Sequence, residues 1–208
     1  MLTVAEKPKT ARAGKKIPES LIYEIMDGEP LYYKGYKEVL SGKKTLEEIM
    51  GSSSLQFVLV HYLLGLMYKN LDEKLYYFAT NEAGIHVEHN VNMSNDVAVY
   101  RKSVLTADKI SKKYADVPCR LAIEIDIKAD ISNPKDYNYV QRKTQKLLDF
   151  GVEKVIWIFT GTQKVTVAAA NENWQTMDWD KEIALIDGLV CNIGKYLAEE
   201  GIQTEKED

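Results

Sequence analysis

Apolar residues recur along this chain in two rhythms, one of period two and one near 3.6, and their order predicts a sheet with helices packed on it. Residues 21–33 read as two short extended pieces around Asp27-Gly28-Glu29, with Gly28 suited to the positive φ of a hairpin turn. Ser52-Ser53-Ser54 offers a helix N-cap, and Leu55, Val58, Leu59, Tyr62, Leu63, Leu66 and Met67 follow at helical spacing. Phe57, Val60 and Leu64 make that helix apolar nearly all round, which predicts burial against other elements. Residues 75–80 and 85–89 read as strands separated by the turn-forming Asn81-Glu82-Ala83-Gly84, and residues 96–100 as another, entered through a turn at Ser94-Asn95.

The segment 120–128 alternates most clearly, with Leu121, Ile123, Ile125 and Ile127 on one face and Arg120, Ala122, Glu124, Asp126 and Lys128 on the other. A helix follows Asn133-Pro134 and runs to Phe150, ended by Gly151. Residues 152–159 and 164–170 are two more strands around Thr160-Gly161-Thr162-Gln163, and a last helix after Gly188 carries Val190, Ile193 and Leu197 inward. The pattern is α+β, a mixed central sheet flanked by helices. Residues 17–200 form one domain, between a flexible charged N-terminal tail at 1–16 and a polar C-terminal tail at 201–208.

Composition narrows the classes. The 208 residues are 45% hydrophobic and 28% charged, an ordinary balance for one globular core. No apolar run is long enough to cross a bilayer and no secretory leader is recognisable, so no membrane partner and a cytoplasmic location are expected. Cys119 and Cys191 lie far apart with no further ligand at metal spacing, which excludes a zinc ribbon or a disulfide framework. A net charge of −4 rules out coating nucleic acid by bulk charge and requires any such role to rest on a local site.

Asp96, Glu124, Asp126 and Lys143 are the polar positions a packed sheet does not need. Lys143 lies on or beside the inward stripe of Val140, Thr144, Leu147 and Leu148, where a lysine rarely sits unpartnered. Carboxylates on adjacent strands repel unless a raised pKa or a bound cation relieves them. Oxygen ligands suit Mg²⁺ or Mn²⁺, and such an ion with a nearby lysine supports phosphodiester hydrolysis. From spacing alone the pattern more often describes a solvated sheet face with cross-strand pairs and a snorkelling lysine.

The succession Asn95-Asp96, then Glu124 within Leu121-Ala122-Ile123-Glu124-Ile125, then Lys143 ahead of Gly151-Val152-Glu153-Lys154-Val155-Ile156-Trp157-Ile158 resembles the Uma-type restriction endonucleases, a bacterial group in the PD-(D/E)xK nuclease superfamily. The resemblance runs over about residues 22–197, including Tyr23-Glu24-Ile25-Met26-Asp27-Gly28-Glu29 and Ile186-Asp187-Gly188-Leu189. It implies a restriction-endonuclease-like core with an N-terminal hairpin, and an endonuclease that uses one or two Mg²⁺ or Mn²⁺ ions on a DNA substrate. By position, Asp96 and Glu124 become the acidic metal ligands, the carbonyl of Ile125 a backbone ligand, Lys143 the catalytic lysine and Glu29 a further acidic candidate. Asn95 replaces the usual proline, and Gln56 the usual histidine, leaving His61 to core packing. The literal Asp126-Ile127-Lys128 offers a second register, with Asp126 as ligand and Lys128 as catalytic lysine. A homodimer would address both strands of a duplex. The alternative is a catalytically inactive nuclease-like module that binds a protein or nucleic-acid partner.

Overall fold

The computed structural model describes residues 17–89, 91–132, 134–136 and 138–206, and the expected N-terminal tail lies outside them. The strands are β1 Ile22–Met26, β2 Glu29–Tyr32, β3 Tyr76–Glu88, β4 Val91–Arg101, β5 Leu121–Ile125, β6 Lys154–Phe159, β7 Lys164–Ala169, β8 Gln175–Asp178, β9 Ile183–Ala184 and β10 Val190–Cys191. The helices are α1 Tyr36–Leu40, α2 Leu46–Met50, α3 Ser54–Asn70, α4 Tyr139–Phe150 and α5 Ile193–Glu199. Eight strands make one mixed sheet in the order β2-β1-β4-β5-β6-β7-β8, with β3 also paired to β4. β5 and β6 run parallel across the α4 crossover, and the other pairs in this sheet are antiparallel.

The sheet separates two cores. On one side Leu59, Leu63 and Met67 of α3 and Ile193 and Leu197 of α5 pack on Val97, Val99, Leu121, Ile123, Ile125 and Ile156. On the other, Tyr139, Leu147 and Leu148 of α4 pack on Ala98, Tyr100, Ala122, Val155 and Trp157. Ser53 caps α3 by accepting from the Gln56 N–H, and Gly151, at φ 110°, closes α4. Contrary to the all-round apolar pattern, α3 buries one face only and leaves Phe57 and Tyr68 exposed.

Several expected boundaries move. The strands expected at 75–80 and 85–89 merge into one long strand, β3 Tyr76–Glu88, because Asn81 and Glu82 take positive φ values of 62° and 56° as a bulge rather than a turn. β4 begins well before Asp96 and runs through Ser94 and Asn95, with no turn there. β5 stops at Ile125, buried on both faces, and Asp126 turns out of it at φ 62°. The helix after Pro134 starts only at Tyr139, Val190 lies in a strand, and α1, α2, β8 and β9 carry too few periodic positions to be read from pattern. In the C-terminal segment, Thr204 accepts hydrogen bonds from Gln163.

The bulge matters most. Across it β3 spends Asn81 and Glu82 opposite Asp96 alone. The alternation of β4 breaks at the same place, so that Met93 and Ala98, at positions of opposite parity, both face the α4 core. A side chain at such a break leaves the regular inward or outward direction. That side chain is Asp96.

Candidate active site

β3 occupies one whole edge of β4, so β1 and β5 must share the other. β1 pairs at Asn92 and β5 at Val97–Val99, which leaves a gap at Ser94–Asp96. Side chains fill it. Glu24 of β1 accepts from the Ser94 N–H at 3.2 Å, and Lys143 of α4 donates to the Ser94 carbonyl at 2.8 Å.

Lys143 has 0% exposure and Glu124 has 2%. The ammonium lies 2.6 Å from Glu24 Oε1 and 3.0 Å from Glu124 Oε1, ringed by Tyr23, Tyr139 and Trp157. Tyr139 also donates to Glu24 Oε2 at 2.8 Å, and Trp157 is fixed by donating to Thr144 at 2.8 Å. Burial disfavours the Lys143 cation, but Glu124 and Glu24 outweigh it and hold its pKa well above the usual lysine value. Burial pushes Glu124 the unfavourable way, up to about 8, against the pull of Lys143.

Asp96 reaches across the end of β5. Its Oδ2 accepts the Ile125 N–H at 2.8 Å, and its Oδ1 accepts from Gln56 of α3 at 2.8 Å and Lys128 at 3.2 Å. Lys128 also meets Glu82 of the bulge at 3.1 Å, and these two carboxylates more than offset its burial, raising its pKa. Gln56, expected only as a lost histidine, anchors the aspartate.

The structure thus gathers Asp96, Glu124, Ile125, Lys143 and Lys128 at one gap in the sheet, with Glu24 among them. Asp126 does not join. Its αL backbone turns the side chain to Thr160, whose N–H and hydroxyl donate to the carboxylate at 2.7 and 2.6 Å. Glu124, Asp126 and Lys128 therefore do not share a strand face; Lys128 arrives from the loop beyond. Glu29 sits exposed near the hairpin turn, and His61 is exposed rather than packed in the core. Glu24 was missed, although its signal was present: it shares strand parity with buried Met26, so an acid occupies an inward position. Asn95 is buried, and neither atom of its amide has a hydrogen-bond partner among the described residues.

The mixed sheet with a helix layer on each face, and polar residues at a gap in its centre, is a restriction-endonuclease-like fold. Among solved structures, a "putative nuclease belonging to DUF820" from Anabaena variabilis matches with a TM-score of 0.59 over 84% of this chain and 89% of its own, at 12% identity, a likeness of fold. No family model matches the chain, and no curated protein does.

Proposed function

We propose that this protein is a divalent-metal-dependent nuclease of the Uma type in the PD-(D/E)xK superfamily, hydrolysing phosphodiester bonds of DNA. The observation that carries the reading is a fully buried lysine clamped beside Glu124 at the gap in the sheet that Asp96 borders. The fold it shares with a protein described as a nuclease supports it.

Among the described residues no three His, Cys, Asp or Glu side chains converge as a ready-made metal centre. The donors nonetheless fit a hard cation. Glu124 Oε1 is buried, with the Lys143 ammonium 3.0 Å away and no further donor on it among the described residues. Ile125 gives its N–H to Asp96, and the carbonyl of an extended residue leaves by the same edge as its N–H. Asp96, Glu124 and the Ile125 carbonyl would hold Mg²⁺ or Mn²⁺. Such an ion, when bound, lowers the pKa of water and polarises a phosphoryl oxygen. Lys143 supplies a fixed positive charge beside Glu124 for the charge that develops on the phosphate, and Glu24 with Tyr139 keeps that ammonium oriented. Lys128, already on Asp96, meets the phosphate from the open side.

Cleavage of DNA with Mg²⁺ or Mn²⁺ tests the reading: Glu124→Gln, close to isosteric, is expected to cut at least about a hundredfold more slowly while its circular dichroism is unchanged. Undiminished cutting by that variant removes the site assignment.

A second reading is a non-catalytic nuclease-like module. Both Asp96 oxygens already have protein donors, and Glu124 and Lys143 are closed to solvent. Calorimetric titration with Mn²⁺ separates the two, since the module predicts no binding, or binding indifferent to Asp96→Ala.

A further inference from the structure

Of the residues at the gap, Asp96 and Lys128 open onto a cleft of about 470 Å³, of the size that takes a small ligand. Met50 at the end of α2 and Phe57 and Val60 of α3 give it apolar lining, next to the polar Ser52 and Gln56. Phe57 is 59% exposed and Met50 43%. Single exposed apolar side chains are common on proteins, but here two share one cleft with the acidic residue of the site. Asp96, Lys128 and the bulge residues Asn81 and Glu82 add further polar lining. The cleft therefore offers exposed apolar side chains, one of them aromatic, beside a cation that already touches Asp96.

We propose that this cleft takes an unpaired nucleotide, its base lying on Phe57 and Met50 and its phosphate at Lys128 and Asp96. The substrate class is then single-stranded or locally melted nucleic acid, an inference that rests on the nuclease reading above. In a duplex each base is covered on both faces by its neighbours and shows only its edges in the grooves. An aromatic face can be met only by a base that has left the stack, and such stacking is tolerant of sequence. Asp96 and Glu82 together outweigh Lys128, so the phosphate binds in the presence of a divalent cation.

The test titrates the whole protein, with Mg²⁺ present, into a phosphorothioate-linked single strand carrying 2-aminopurine, and follows the quenching of that base. Wild type is expected to quench. Phe57→Ala is expected to weaken binding about tenfold to a hundredfold, and Phe57→Trp to restore it. In cleavage assays Phe57→Ala raises KM for single strands with kcat little changed and leaves any cutting of fully paired duplex unaffected. Because Phe57 is exposed, both variants are expected to melt at the wild-type temperature. Unchanged quenching in Phe57→Ala, no binding of the strand by wild type, or equal losses on single and double strands would overturn the proposal. Protein that quenches through Phe57 yet cuts no DNA keeps the nucleotide cleft and discards the nuclease reading.

Discussion

A lysine without exposed surface pays a large desolvation cost, and Lys143 offsets it with Glu24, Glu124 and the Ser94 carbonyl. Glu124 fares worse, because burial outweighs the single cation it shares. Its carboxyl, ordinarily near 4.5, is pushed up to about 8. Between those values the folded protein keeps a proton that the unfolded chain has released, so stability falls as pH rises from about 4.5 to about 8. Without added metal, wild type is expected to lose stability relative to Glu124→Gln across that window, with the gap smallest near pH 5. Urea denaturation of both proteins at several pH values checks this, and parallel pH profiles would show that Glu124 is not the group responsible.

At the scale of elements, the β3 bulge is the device that turns Asp96 out of the ladder toward Gln56 and the end of β5. Asn81 and Glu82 are held at positive φ, an uncommon conformation for residues other than glycine. Deleting Asn81 lets β3 and β4 pair without interruption across Asp96. The expected result is a folded protein whose circular dichroism is nearly that of wild type but which no longer binds Mn²⁺ and cuts at least about a hundredfold more slowly, the scale of losing one electrostatic contact at a reacting centre. Full activity after the deletion would mean that Asp96 does not need the bulge. The sequence marked residues 81–84 as irregular, but irregularity within a chain reads alike whether it becomes a hairpin turn or a bulge; only the partner strand distinguishes them.

For the molecule as a whole, the site joins β1, β4, β5, α3 and α4, so a ligand that neutralises it holds together elements from across the chain. An ion that binds only the folded form at about 100 times its Kd adds roughly 2.7 kcal/mol. For a chain of this length that corresponds to about 5–10 °C in melting temperature. Differential scanning calorimetry with Mn²⁺ is expected to show such a shift in wild type and not in Asp96→Ala. No helix among the described residues is long and apolar enough to cross a membrane.

The sequence by itself determined the α+β class, the hairpin at β1 and β2 and the central hydrophobic strands, because burial periodicity is a local property of the chain; Asp96, Glu124 and Lys143 stood out as polar positions, and the family resemblance gave them their expected roles. It also left Lys128 and Lys143 as rival lysines, one on the strand and one on the helix. Only the tertiary structure decided their geometry: β5 ends before Asp126, so Asp126 caps Thr160, Lys143 sits against Glu124, and Lys128 reaches Asp96 from a loop. Glu24 belongs to the same tertiary decision, because β1 reaches Lys143 only through the pairing of β1 with β4. A gap between two strands on one edge of a third is fixed by contacts between distant segments, and no local pattern encodes it.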